Sequence, residues 1–328
     1  MNNGEKRAMN DSLADWTKRT GRKPRVLILA NVPGWAYDIN AQGLCKALGN
    51  DFDMEIAYLT DGELTDHRPD YFDLYHVCFW GSNIEALKIH PNRVIKEISS
   101  HRWEEFGFGP LTPLQFCEKH LKDAGLVTAT SKRLQDTVGA IRPVLLTPNG
   151  VNDLFCLGAE RTGDLAFGWA GNANDPCKGL WDILIPASHH LFSLKVAPGN
   201  VPHAYMRVFY QGLDVICVAS TNEGSPLPLL EAMCCGSFPI CTDVGIVPEL
   251  VRHGENGLIV ERTPNAFRNA FRWCLEHPEL VRAAGRKNSA LIKETRSWHK
   301  VKGAWREAWC EVLKRCDRSA SPSALACQ

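Results

Sequence analysis

Two glutamates, Glu223 and Glu231, stand seven residues apart, counting those between them, in the stretch TNEGSPLPLLEAMCCGSFPICTD, Thr221 to Asp243. Ser225 is placed to cap a helix, and Pro226 suits its first position, where an amide has no intrahelical partner. Glu223 then lies in the loop before that helix, and Glu231 projects from its second turn. The free amides of Leu227 and Leu229, with a helix dipole worth about half a unit charge, attract an anion such as phosphate. Two acceptors flanking an anion site suit a ligand with hydroxyls at both ends and phosphate in the middle, as a nucleotide sugar has. Spacing alone leaves a second reading open, in which a glutamate near a helix start only complements the dipole.

The elements around this stretch must hold it in place. DVICVAS (214 to 220) reads as a buried strand, so TNEGS lies at its carboxyl end, where open α/β sheets bind ligands. Short apolar, β-rich runs precede it at 25 to 30, 54 to 59, 73 to 79, 93 to 99, 124 to 130 and 143 to 148. After TPNGVND (147 to 153) a second series follows at 164 to 170, 193 to 198, 214 to 220, 238 to 243 and 257 to 260, with helical patterns between, and the chain beyond about 264 reads as helical throughout. Runs apolar on both faces, alternating with helices, mark parallel sheets covered on both sides. The predicted architecture is α/β, two Rossmann-like domains facing a cleft with a C-terminal helix returning to the first domain. Its parts are a flexible segment 1–23, a first domain 24–149, a second domain 150–296, a crossover helix 297–316 and a flexible tail 317–328. In that helix Trp298, Val301, Trp305, Trp309 and Val312 recur at three- and four-residue steps, an apolar stripe that reads as structural.

Composition limits the alternatives. Lys plus Arg and Asp plus Glu both number 37, so no excess of charge points to nucleic acid. The 13 cysteines form no Cys-x-x-Cys pair and several lie in apolar runs, as reduced core residues of a cytoplasmic protein do. Neither a signal peptide nor a transmembrane run is read, and membrane association is expected to be peripheral at most.

The segment EGSPLPLLEAMCCGSFPICTDVGIVPELVRHGENGLIV closely resembles the E-x7-E signature region of family 4 glycosyltransferases, retaining enzymes of the GT-B fold. The match runs about forty residues without a gap and extends weakly over residues 24 to 316. TPNGVND looks like the family's interdomain segment, and SWHKVKGAW like the start of its final helix. By this resemblance Glu223 contacts the donor sugar hydroxyls, and Glu231 accepts from the nucleotide ribose. FGWAGNANDPCKG (167 to 179) looks like the family's strand and loop carrying an arginine and a lysine on the donor diphosphate. Lys178 keeps its place and Asn172 stands where the arginine would be, replacing a charge-assisted contact of roughly 1.5–3 kcal/mol by a neutral one. A lysine at a helix amino end is itself unfavourable unless an anion offsets the dipole. APGNVPHAYMRVFYQGLD resembles the segment whose backbone meets the base, with Val201 as the candidate. Only about 35 residues separate Lys178 from Asp214, so a strand and helix are expected to be missing there.

In the first domain, LANVPGWAYDIN stands where the family has a glycine-rich loop near the donor phosphates and the acceptor. Gly34 is the candidate for close backbone approach, with Trp35 and Tyr37 as acceptor-site walls; a turn glycine and core aromatics are the alternative. His101 lies where the family often has a histidine near the sugar, and a surface histidine is the other reading.

Motifs of other chemistries are missing or misplaced. DFD (51 to 53) reads as a turn, GFG (107 to 109) lacks the third glycine of a dinucleotide loop, and His189 and His190 have no third ligand nearby. No metal and no cofactor are expected. The resemblance implies a metal-independent, retaining transferase of carbohydrate biosynthesis that moves a sugar from a UDP- or GDP-linked donor to an acceptor hydroxyl, with the domains closing about residue 149. The acceptor, whether a saccharide, a lipid-linked sugar or a small molecule, is not written in the loops. The alternatives are a sugar-nucleotide epimerase, for which His101, Glu104 and Glu105 would have to serve, and a non-catalytic nucleotide-sugar-binding subunit.

Overall fold

The structure, a computed structural model, describes residues 13–59, 70–105, 109–199 and 201–319. The start and tail expected to be flexible lie partly outside these residues, as do Gly107, Phe108 and most of the acidic loop after Leu59. Residues 13–20, within the segment expected to be flexible, are helical, with Leu13 and Trp16 buried. Those two apolar side chains, three residues apart, give that turn a face to bury.

Two compact units divide the chain: one ends at Pro148 and resumes at Val301, and the other spans Asn149–Lys300. The first unit holds β1 (Arg25–Ala30), β2 (Asp53–Tyr58), β3 (Leu74–Val77), β4 (Val94–Ile98), β5 (Leu126–Ala129) and β6 (Leu145–Leu146). They form one parallel sheet in the order β2-β1-β3-β4-β5-β6. β3, β4 and β5 are buried at every position, the polar His76, Lys96, Glu97 and Thr128 included, as strands of a sheet covered on both faces are. The helices α1 (Ala36–Leu48), α2 (Pro113–His120) and α3 (Lys132–Gly139) fill the crossovers. A Thr112–Gln115 capping box starts α2, and the Ser131 hydroxyl caps α3. Because strand order reverses between β1 and β3, the loop after β1 that carries Gly34 and Trp35 lies at a topological switch point.

The second unit holds β7 (Phe167–Gly171), β8 (Lys195–Pro198), β9 (Val215–Val218), β10 (Phe238–Cys241) and β11 (Leu258–Ile259). Read as β8-β7-β9-β10-β11, its parallel sheet has the order of the first five strands of the other unit. Its switch point falls between β7 and β9. The helices α4 (His203–Gln211), α5 (Leu227–Cys234), α6 (Pro264–Glu276) and α7 (Pro278–Arg296) pack around it. Among the described residues, the interval between Lys178 and Asp214 holds one strand, β8, and, besides a short helical stretch at 180–188, one longer helix, α4.

The last helix, α8 (Trp298–Ser319), buries the whole predicted stripe, Trp298, Val301, Trp305, Trp309 and Val312. Trp309 meets Phe52 edge-on at 5.0 Å and donates from Nε1 to His76 Nδ1 at 3.2 Å, while Trp305 donates to the Pro148 carbonyl at 2.8 Å. Among the described residues no helix is long and apolar enough to cross a membrane.

Two helix starts differ from expectation. The helix predicted from Lys178 is a 3-10 turn, Pro176–Lys178, followed by left-handed Gly179, a π-helical turn, Leu180–Leu184, and a short α-helix, Ile185–Ser188. Pro186 has no N–H to give an α-helical bond, and the bonding shifts to the wider Ile185-to-Leu180 pattern. α5 starts at Leu227, with Pro226 as its cap residue and no side-chain cap from Ser225. Prolines at 226 and 228 carry no amides, so Leu227 and Leu229 bring the first donors of this end.

Candidate functional site

The two loops that leave the switch point of the second sheet converge on one ion pair. Lys178, on the loop after β7, places Nζ 2.6 Å from Glu223 Oε1, on the loop after β9. The Ser220 hydroxyl donates to the same oxygen at 2.8 Å. The side chains of Lys178 and Glu223 are 27% and 12% exposed, so the pair is sheltered yet open to a ligand. Burial pulls the Lys178 pKa down, but the charge and hydrogen bond of Glu223 outweigh it and the net shift is upward. Lys178 is therefore a fixed cation at physiological pH. A phosphate arriving here can take over the ammonium and release the Glu223 carboxylate to hydroxyl donors.

Hydrogen bonds to backbone carbonyls fix the loops. Thr221 N–H donates to the Cys177 carbonyl at 2.9 Å, and Thr242 Oγ1 to the Ser220 carbonyl at 2.6 Å. Gly179 has φ +69°, and an added Cβ would collide with the Ala219 carbonyl oxygen, so only glycine permits this approach.

Glu231 lies beyond this pair on α5 and is buried. Its Oε1 is 2.6 Å from His203 Nε2, on the first turn of α4, and the Tyr210 hydroxyl also bonds to it. Burial raises the Glu231 pKa, and the hydrogen bonds and charge of His203 and the Tyr210 bond only partly offset that. The ring of Phe155 packs on both partners, 5.2 Å from His203 and 5.9 Å from Tyr210. Neither His203 nor Tyr210 was singled out by the sequence reading: they stand 28 and 21 positions before Glu231, and no spacing rule links them.

Other expected donor contacts are more constrained. Leu229 N–H is not free as predicted, because it bonds to the Pro226 carbonyl at 3.1 Å; the tight first turn of α5 uses it up. Val201 N–H, in the segment expected to meet the base, bonds to the Pro198 carbonyl at 3.1 Å. Asn172 Oδ1 accepts from Asn174 N–H at 3.1 Å, an Asx turn that orders the loop ahead of Lys178.

In the first unit, Gly34 is left-handed at φ +76°, and its N–H donates to Asp38 Oδ2 at 2.7 Å. Asp38, missed by the sequence reading, is buried on α1 and also accepts from Gln42 at 2.9 Å and the Tyr58 hydroxyl at 2.8 Å. Burial, then Asp38, pushes the Tyr58 pKa up to about 12, so this hydroxyl stays a donor. Trp35 is 44% exposed beside Gly34, whereas Tyr37 is half-buried with its hydroxyl 2.6 Å from Ser99 Oγ. His101 follows β4, half-buried, with its ring edge-on to Trp103 at 6.4 Å. A cavity of about 380 Å³ between Arg25, Phe52 and Tyr71 opens at the amino ends of β1 and β2, opposite these loops.

His76, Cys78 and Glu97 bring three potential metal-ligating atoms within 4.8 Å of one another under α8. Their hydrogen bonding fits a different role. His76 Nδ1 accepts from Trp309, which puts the ring proton on Nε2, facing Glu97 Oε2 at 3.2 Å. A metal on Nε2 would need that position deprotonated. Of the DFD stretch, Asp51 pairs with Arg306 at 3.0 Å and Asp53 opens β2, as a turn before a strand.

Residues 188–291 match the family described as glycosyl transferases group 1, a span that includes Val201, Glu223 and Glu231. A similar protein is the N-acetyl-alpha-D-glucosaminyl L-malate synthase of Bacillus anthracis, 31% identical over 103 residues, 31% of this chain and 27% of that protein. An uncharacterized glycosyltransferase of Methanocaldococcus jannaschii is 28% identical over 189 residues, 50% of this chain and 52% of the relative. The matched part thus spans about half of that relative and about a quarter of the first. Among solved structures, sucrose-phosphate synthase from Thermosynechococcus elongatus superposes with a TM-score of 0.70 at 17% identity, covering 92% of this chain and all (100%) of that one. Anabaena HepE in complex with UDP-glucose gives 0.62 at 13% identity, covering 90% and 99%. The fold is that of the GT-B glycosyltransferases. At these identities the likeness carries architecture, and the chemistry rests on the residues above.

Proposed function

We propose that this chain is a glycosyltransferase that moves a sugar from a nucleoside-diphosphate donor to an acceptor hydroxyl, with retention of anomeric configuration and without a divalent metal. The observation that carries this reading is the Lys178–Glu223 pair, 2.6 Å apart at the switch point of the second sheet, with Glu231 on the next helix. The group 1 match over 188–291 and the UDP and UDP-glucose complexes of Anabaena HepE support it.

In this reading the donor diphosphate takes Lys178, whose charge stabilises the leaving group as the bond from C1 to the phosphate oxygen breaks. Glu223, freed from the lysine, orients the sugar through its hydroxyls. The acceptor oxygen bonds to C1 on the face that the phosphate leaves, and its proton passes to the departing phosphate. Glu231, held by His203 and Tyr210, accepts from the ribose. Asn172 leaves the site one cation poorer than the resemblance implies, and the diphosphate is held correspondingly less tightly. Trp35 and the loop around Gly34 would serve the acceptor. The described cysteines are free thiols, which fits a reducing compartment such as the cytoplasm.

Incubation with UDP- and GDP-sugars, with and without acceptor alcohols and with and without EDTA, tests the proposal by mass spectrometry. Transfer that survives EDTA and gives a product with the donor's anomeric configuration supports it. An isomerised donor, or binding with no transfer to any acceptor or to water, would overturn it.

A further inference from the structure

We propose that Arg262 is a positioning residue for the donor diphosphate, acting through Lys178; this rests on the donor site proposed above. Arg262 follows β11 and precedes the Thr263 cap of α6. Its Nε donates to the Ala219 carbonyl at 2.9 Å, and Nη2 donates to the Pro176 carbonyl at 3.1 Å and to Asp182 Oδ2 at 2.9 Å. One planar fork therefore touches the end of β9, the 3-10 turn that carries Lys178 and the π-helical turn behind it. Its side chain is 25% exposed; the bond to Ala219 is partly buried, while those to Pro176 and Asp182 lie at the surface.

The loops it joins have little structure of their own. The Lys178 loop has a single 3-10 turn, and residues 219–226 contain no helix or strand. The contacts that tie one loop to the other or to a common brace include the Thr221 N–H bond to Cys177, the Lys178–Glu223 pair, the bonds of Cys177 Sγ with Thr221 Oγ1 at 3.2 Å and the Asn222 carbonyl at 3.4 Å, and Arg262. A phosphate that takes Lys178 dissolves the second of these. Arg262 then remains as a charged side-chain brace, beside the weaker thiol contacts of Cys177, that keeps the ammonium at the height of the helix end, and its effect falls on the ligand that carries a second phosphate. Gly179 makes the same point by shape, since the loops approach so closely at Ala219 that no side chain fits between them.

The test uses the full chain with Arg262→Met, Arg262→Lys, Lys178→Ala and the Met–Ala double variant, titrated calorimetrically with UDP and UMP, and with GDP and GMP. Arg262→Met should weaken the diphosphate about tenfold and the monophosphate less than twofold. In the Lys178→Ala background it should add less than twofold, and Arg262→Lys should recover part of the loss. Equal losses for both nucleotides, or additive effects of the two substitutions, would overturn the inference. A second arm needs no nucleotide: competitive acetylation read by mass spectrometry should show Lys178 labelling several-fold faster, relative to Lys195, in Arg262→Met. Unchanged labelling overturns the positioning role by itself. A wild-type chain that binds neither UDP nor GDP while Lys178 labelling rises would sink the donor reading and leave Arg262 as the brace of the lysine.

Discussion

Replacing Lys178 by alanine separates ligand binding from folding, because the structure assigns the two effects different sizes. The ammonium is 2.6 Å from Glu223 and 27% exposed. A charge-assisted contact of this kind to a phosphate is worth roughly 1.5–3 kcal/mol, so the dissociation constant for UDP or GDP should rise about 10- to 150-fold. Stability should change much less. Glu223 keeps the Ser220 hydroxyl at 2.8 Å, so the carboxylate is not orphaned, and removal of the amine also removes its own desolvation cost. We expect a loss of about 1 kcal/mol, or ~2–4 °C in Tm for a unit of this size. Since the Lys178 pKa is raised, the amine stays charged and the ratio of wild-type to variant affinity should be flat from pH 6 to 9. Calorimetric titration with UDP and UMP, beside thermal melts, reads each part. A diphosphate affinity within twofold of wild type, or a Tm drop above 10 °C, would show that the pair is a strut of the fold and not a phosphate site.

Glu231→Gln should reverse the usual order of stability and binding. Its folded pKa is raised, so its contribution to stability is full below the ordinary value of 4.5 and is lost as pH climbs through the raised one. The variant should therefore gain in Tm on wild type between pH 5 and 8 while losing nucleotide affinity, and a difference that does not vary with pH refutes the buried-acid assignment. Gly179→Ala should cost roughly 2–4 kcal/mol in urea unfolding, from its left-handed φ and the collision with Ala219; a cost under 1 kcal/mol would mean that the loops separate freely. Trp309→Phe strips the donor from His76 Nδ1 and should destabilise the first unit by about 1–3 kcal/mol, with a loss below 0.5 kcal/mol speaking against that hydrogen bond.

Much of the architecture was legible in the chain because buried parallel strands advertise themselves: VLIL, VICV and FPIC are apolar at every step, and each became a strand. Glu223 and Lys178 were legible as chemistry but not as partners, since 45 positions separate them and only the strand order brings their loops together. His203, Tyr210, Asp38 and Arg262 escaped for a related reason. Each acts by reaching across to another element, and neither composition nor local spacing records such a reach. The errors at helix starts were local. Pro226 was read as the first helical residue under a Ser225 cap, whereas Pro226 is itself the cap residue and the helix starts at Leu227; Pro186, whose missing N–H lies beside the π-helical turn, entered no reading.

The placement of α8 has a consequence for biosynthesis. Phe52 and His76 are made early, but the indoles of Trp305 and Trp309 that cover them are translated more than two hundred residues later. At ~5–20 residues per second the nascent first half waits roughly ten to thirty seconds with this greasy seat uncovered, while Asn149–Lys300 emerges as an uninterrupted stretch able to fold on its own schedule. The half translated second is thus the one that can be finished first, and the seat for α8 is where a chaperone would find its grip.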